Sequence, residues 1–600
     1  MINWLDNRTG FKQLLSEALF ESIPGGARWR YVWGSTLTFT FFVQMVTGVF
    51  LWMAYSPSAQ TAWESVFYIQ YEMSYGWLLR GVHHYTAQAM NILLVLHLLQ
   101  VIIDGAYKAP REINFWFGIG LLNLVLALSL TGYLLPWDQK GYWATKVTTS
   151  IMAITPVIGP ELEKLVVGGA EYGHHTLTRF FAFHAGVLPA AVIALIAGHI
   201  YLFRRHGITP KKPLQRPDAM FWPDQVLKDA VACLAVFAVV LLFVMKGWLF
   251  GDGHLGASLG APAEPSEPYA AARPEWYFLF LFQFLKYFPG EKEIYGALVI
   301  PGAVVGLICL MPFIGRWKIG HAFNLLTIYG LLGGIAFLTF AAIREDQSKQ
   351  DYKEAVIAAD GAAERVRVLA QAPTGIPVEG AVTLLRKDPL TQGPKLFAAH
   401  CSSCHRFDGH DGLGMIPTDE PSAADLNAFA SRQWITDLIS PDHISTDQFF
   451  GKTAFADGKM AKFVNRKVTN FDDVEKEQLR KAIIALSAEA QLPSQADLDS
   501  SEMAVIEEGK NHLLDDIGCA DCHEFHFEDE DATAPNLTGY GSREWLISMI
   551  SDPTHENLYG EKNDRMPAFS PDGILTSTEI GLVADWLRGE WYTPAIQETE

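Results

Sequence analysis

Seven stretches of about 20 apolar residues, the length a bilayer core requires, leave this 600-residue chain little choice of architecture. They lie near 32–54, 77–103, 114–135, 180–203, 229–250, 294–314 and 322–343. Backbone polar groups have no water to bond inside lipid, so each stretch is read as a spanning helix. Basic loops face the cytoplasm. Arg28 and Arg30 precede the first helix, and Lys108 and Arg111 lie between the second and third. "FRRHGITPKKPLQR" (203–216) joins the fourth to the fifth, and "GRWK" (315–318) the sixth to the seventh. All four segments fall on one side. That orientation puts the N-terminus in the cytoplasm and everything after the seventh helix outside, with lipid around the spans. The expected location is a bacterial inner membrane, with a periplasmic C-terminal half. The first 30 residues lack the layout of a signal peptide, so the first apolar stretch is a true span.

Charge divides the chain at the same place. Residues 346–600 hold 45 acidic and 22 basic side chains, whereas residues 1–345 hold 21 and 24. The net charge of −20 argues against a nucleic-acid partner, which needs a basic surface. The last hundred residues carry 22 acidic and 5 basic groups and suit a basic partner. We expect a four-helix domain over 1–215, a three-helix domain over 216–343 and a polar linker over 344–392. Two small α-helical modules follow, over 393–492 and 493–600. The expected fold class is therefore all-α.

The two modules form a degenerate repeat. Each begins with C-x-x-C-H, "CSSCH" at 401–405 and "CADCH" at 519–523. This motif attaches c-type haem: Cys401 and Cys404, or Cys519 and Cys522, bond the haem, and His405 or His523 sits beneath the iron. No other cysteines are available for a four-thiolate zinc site, since Cys233 and Cys309 stand alone in apolar runs. Met460 and Met566 hold equivalent places in the repeat, in "GKMAKF" and "DRMPAF". They are the candidate sixth ligands, Met460 beyond His405 and Met566 beyond His523, with Met415 a rival in the first module. Helices are expected over 475–488 and 577–589.

The second span, "RGVHHYTAQAMNILLVLH", carries ionisable groups that are costly in lipid and mark function. At about 100° per residue, His83 and His97, 14 apart, share a face. His84 does not, and it is expected to be a polar residue near the outer surface, as are His174 and His175. On the fourth span, His184 and His199 are 15 apart and also share a face. Both helices run from outside to inside. Two bis-histidine b haems follow, His83 with His184 near the outer surface and His97 with His199 near the inner. Gly34 and Gly48 on the first span, and Gly118 and Gly132 on the third, repeat the 14-residue spacing and let a flat ring approach the backbone. Arg80 and Arg179 are candidate partners for haem propionates.

With these residues in place, positions 1–345 strongly resemble cytochrome b of the cytochrome bc1 and b6f complexes. The pieces that carry it are "GWLLRGVHHYTAQAMNILLVLH", "TGYLLPWDQKGYWA", "TLTRFFAFHAGVLP" and "RPEWYFLFLFQFLK". The 15-residue histidine spacing and the seven helices resemble the b6 type, with subunit IV joined in one chain. Val32 stands where that type has a haem-tethering cysteine, so a covalent extra haem is not expected. The resemblance implies a quinol-oxidising site at the outer face built from Pro274, Glu275, Trp276 and Tyr277, with Glu275 as proton acceptor. It also implies a second quinone site near His97 and His199, and a homodimer. The C-terminal part resembles two class I cytochrome c modules.

The expected function is that of the cytochrome b/c subunit of a quinol:electron-acceptor oxidoreductase. It draws on the quinone pool and delivers electrons to a periplasmic acceptor such as a soluble cytochrome c. A Rieske cluster needs two Cys and two His, which this chain lacks, so a separate Rieske protein is an expected partner. The alternative is an electron conduit between quinone and a periplasmic redox enzyme, without division of the two electrons.

Overall fold

The computed structural model describes residues 2–209, 216–251, 253–527 and 532–594. Residues 210–215 of the basic fourth-to-fifth segment lie outside the described residues. Seven helices are long and apolar enough to cross a membrane: α1 (Trp33–Trp52), α2 (Gly76–Ile103), α3 (Glu112–Leu134), α4 (His174–His206), α5 (Phe221–Val244), α6 (Gly290–Ile314) and α7 (Gly320–Ser348). α1 packs along α2, and α3 along α4. α5 covers both α1 and α2.

Local chemistry sets several of the helix ends. α2 starts after Tyr75, which is left-handed (φ 59°), and any Cβ on Gly76 would collide with the Ile69 carbonyl. α4 is interrupted by a π turn over Phe183–Val187, which contains His184. Such a turn takes up about one extra residue. The 15-residue histidine spacing on α4 therefore aligns with the 14-residue spacing on α2.

The expected linker over 344–392 is mostly helical. α7 runs on to Ser348, and α8 (Gln350–Ala370) follows at once. Its charged residues hid the pattern, because α8 buries only one edge, with Val366 and Leu369 inside.

The chain divides into two compact units, 1–367 with 376–382, and 368–375 with 383–600. Four helices frame the second unit: α9 (Pro389–His400), α10 (Asp473–Glu489), α11 (Met503–Asn511) and α12 (Ser577–Leu587). α10 and α12 start at full capping boxes, Asp472 with Glu475 and Thr576 with Glu579. The expected boundaries at 393–492 and 493–600 cut through this packing. α9 lies on α12 and α10 on α11, so each repeat lends a helix to the other.

Candidate functional site

The four spanning histidines meet in two pairs. The rings of His83 and His184 stand 6.3 Å apart between centroids, at 74°. Those of His97 and His199 stand 6.4 Å apart, at 82°. A metal–imidazole bond of about 2 Å on each side, plus roughly 1 Å from nitrogen to ring centre, separates two axial rings by about 6 Å. Both pairs fit an iron between them.

The protonation pattern fits as well. His184 Nδ1 lies 3.1 Å from the Leu128 carbonyl, and His199 Nδ1 lies 3.0 Å from the Asn114 carbonyl. A carbonyl only accepts, so Nδ1 carries the proton and Nε2 is left as a lone-pair ligand. Thr47 Oγ1 donates to the Val43 carbonyl and accepts a hydrogen bond from His83 Nδ1 at 2.9 Å. Thr131 Oγ1 lies 3.2 Å from His184 Nδ1. Sequence reasoning missed both threonines. The signal was present, since each stands in a Thr-Gly pair, 47–48 and 131–132.

The four glycines sit behind the four imidazoles. A Cβ on Gly34 would lie 3.8 Å from His97, on Gly48 3.4 Å from His83, and on Gly118 3.5 Å from His199. On Gly132 it would lie 2.6 Å from His184 Cε1. Both arginines make hydrogen bonds within the protein. Arg80 donates to Gln70 Oε1 and to the carbonyls of Ala257 and Ser258. Arg179 donates to the carbonyls of Lys164 and Leu165. Arg80 ties down the loop that holds Ala257 and Ser258, and Arg179 meets carbonyls in the last turn of the helix Gly159–Val167, which have no partner within the helix.

Pro274, Glu275 and Trp276 line a cavity of about 230 Å³. Its other walls include Tyr133, Lys140, Tyr269 and Arg273, and, from α8, Tyr352 and Asp360. Tyr277 follows in a short 3-10 turn, Trp276–Phe278, and is not among the lining residues. Burial pushes the Glu275 carboxyl above the ordinary carboxylate range, Lys140 opposes this, and Asp138 adds to it. Arg273 grips Asp346 through two parallel hydrogen bonds, Nη2 to Oδ1 at 2.7 Å and Nε to Oδ2 at 3.0 Å. Its guanidinium also lies 4.3 Å over the Tyr352 ring. Trp276 Nε1 donates to Gln88 Oε1 at 3.2 Å, and Gln88 Nε2 contacts His84 Nε2 at 2.8 Å. His84 thus belongs to a chain that steadies the Pro-Glu-Trp loop and is not a plain surface residue.

In the second unit all four motif cysteines are unpaired. Among the described residues no three His, Cys, Asp or Glu side chains converge into a metal cage, so the thiols stand apart from any zinc-type ligand set. His405 Nδ1 faces the Ala424 carbonyl and His523 Nδ1 the Pro535 carbonyl, both at 2.7 Å. Burial holds both imidazoles below their usual range, in the neutral form that ligates iron. Met415 is 72% exposed and makes no pocket. Met460 and Met566 are half-buried against the cores that hold the motif cysteines.

Residues 21–207 match a family described as cytochrome b/b6/petB, and residues 262–343 match cytochrome b(C-terminal)/b6/petD. The menaquinol:cytochrome c reductase cytochrome b subunit of Geobacillus thermodenitrificans is 38% identical over 35% of this chain and 97% of its own length. The cytochrome bc complex cytochrome b subunit of Chlorobaculum thiosulfatiphilum is 34% identical over 52% of this chain and 73% of its own. Cytochrome b of Rhodobacter capsulatus is 31% identical over 51% and 71%. The matched stretch 21–207 holds the two facing histidine pairs, and the matched stretch 262–343 holds Pro274, Glu275 and Trp276. The chain belongs to the cytochrome b family of the bc-type complexes.

Proposed function

We propose that this chain is the electron-carrying core of a quinol:cytochrome c oxidoreductase, with b and c haems on one polypeptide. The observation that carries the reading is the pair of facing imidazole sets, each with the spacing that a bis-histidine iron needs. His83 and His184 would hold one b haem, and His97 and His199 the other. Cys401, Cys404 and His405 would hold one c haem, and Cys519, Cys522 and His523 a second. Bound haem supplies one-electron transfer, across the membrane on the b pair and outward on the c pair.

The protein's own part in quinol oxidation lies in the cavity beside Pro274. A quinol leaves as quinone by losing two electrons and two protons. The Glu275 carboxylate accepts one proton from a quinol hydroxyl. Its raised pKa brings it closer to the working pH, where a general base is most effective. Arg273, locked to Asp346 and stacked on Tyr352, and Trp276, held by Gln88, steady the lining of the same cavity.

The partners that follow are a separate Rieske protein, the quinone pool and a soluble cytochrome c facing the acidic C-terminal unit in the periplasm. A homodimer follows from the family likeness. A pyridine haemochrome spectrum of the purified chain tests the reading. Two b and two c haems per chain are expected, and fewer b haems would remove the histidine pairs from the account. The alternative, a conduit without division of electrons, predicts no extra b-haem reduction when the inner quinone site is blocked.

A further inference from the structure

The two C-terminal repeats exchange halves. α9 leads into Cys401 and packs on α12 of the second repeat, and α11 precedes Cys519 and packs on α10 of the first. Both crossings are made at a glycine. A Cβ on Gly393 would collide with Trp586, and one on Gly509 with the Lys481 carbonyl. Phe407, just past the first motif, stacks on Trp586 at 4.4 Å.

The apolar cores divide in the same way. Cys401 and Met566 pack against one cluster, built on Phe397, Phe569 and Trp586. Cys519 and Met460 pack against the other, which contains Leu513, Ile517 and Phe525. Hydrogen bonds tie the Met460 segment to the second motif. Lys459 Nζ donates to Thr533 Oγ1 at 3.2 Å, and Thr533 N donates to the Cys522 carbonyl at 3.0 Å. Lys467 Nζ donates to the Ile517 carbonyl at 3.2 Å. The chain changes sides at two matching turns with positive φ, at Ala428 and Ala430 and at Gly539 and Gly541. There a Cβ on Gly541 would run into Ala430, so the two turns pass each other closely.

We propose that each c haem takes its axial ligands from different repeats, His405 with Met566 and His523 with Met460. This rests on the c-haem reading above and reverses the pairing expected from the repeat alone. Each haem pocket is then assembled from two halves. One pocket is built from 430–527 and 532–539, and the other joins 389–428 to 541–591.

The test uses the full chain. The double variant Cys519→Ala/Cys522→Ala keeps one covalent haem, on Cys401 and Cys404. In that background, Met566→His should abolish the sulfur-to-iron charge-transfer band and lower the potential of the remaining c haem, because Met ligation raises it. Met460→His should change neither. In the reciprocal background, Cys401→Ala/Cys404→Ala, the two effects should change places, so either background carries the test if the other misfolds. Sensitivity to the methionine of the same repeat overturns the exchange, and so does sensitivity to neither. If the unmodified chain retains no haem under denaturing conditions, the c-haem reading itself fails, a result distinct from a reversed pairing.

Discussion

Alanine at Gly132 should break the outer histidine pair and leave the inner one intact. The new Cβ would lie 2.6 Å from Cε1 of His184, 3.1 Å from Nδ1 and 3.2 Å from Nε2. Carbon atoms rest at about 3.5–4.0 Å, so the ring must retreat by about 1 Å. That retreat stretches the 3.1 Å bond from Nδ1 to Leu128 beyond useful length. Overpacking costs about 1–3 kcal/mol, and the lost hydrogen bond about 1 kcal/mol. Replacing Gly by Ala within a helix returns about 1 kcal/mol. The net loss is about 1–3 kcal/mol at one site. Gly34→Ala meets His97 only at 3.8 Å, an ordinary contact, so the helix gain should dominate there. Gly48 and Gly118, at 3.4 and 3.5 Å, fall between. Haem content and potentiometric titration of the b haems give the readout. Gly132→Ala should lose or shift only the outer b haem, since the two sites, about 21 Å apart along α2, act independently. An undisturbed outer haem in Gly132→Ala, or loss of the inner haem in Gly34→Ala, would refute the reasoning.

Glu275 must be ionised to accept a proton, and burial raises its pKa. Quinol-dependent reduction of cytochrome c should therefore rise with pH through a value above the ordinary carboxylate range, and fall away below it. Glu275→Gln should remove that limb and slow turnover by about 100-fold, and an unchanged pH profile would count against the role. Asp346→Asn leaves Arg273 half-buried without its bidentate partner. It should cost about 3 kcal/mol and raise the KM for quinol more than it lowers kcat, measured by thermal melts and steady-state kinetics. Arg273→Lys should not rescue the site, because a single ammonium cannot form the fork.

Periodicity made the membrane part legible. Seven apolar runs, and histidines 14 and 15 apart, follow helix geometry, and the structure brings those rings together in two pairs. The Pro-Glu-Trp cavity was legible only through resemblance. A third of its lining residues come from α8, whose Tyr352 and Asp360 stand in a stretch too polar to read as packed. The bonds from Arg80 and Arg179 to backbone carbonyls were not legible, because sequence shows a charge but not the carbonyls that it meets in the fold.

The exchange of halves between the two C-terminal repeats shows a different limit. Two similar repeats present nearly interchangeable faces, so residue identity does not say which copy of a helix packs on which. Connection length does carry that information, because consecutive elements usually lie side by side. α10 ends at Glu489 and α11 begins at Met503, so the two meet across a short link. Closing a short loop costs less entropy than closing a long one. Once they pair, the outer helices α9 and α12 are left to close around them. The self-contained alternative would pack α9 on α10 and α11 on α12, across two long loops in place of one short and one long. The order of helices along the chain, more than any side chain, therefore favours the partner on which each motif closes.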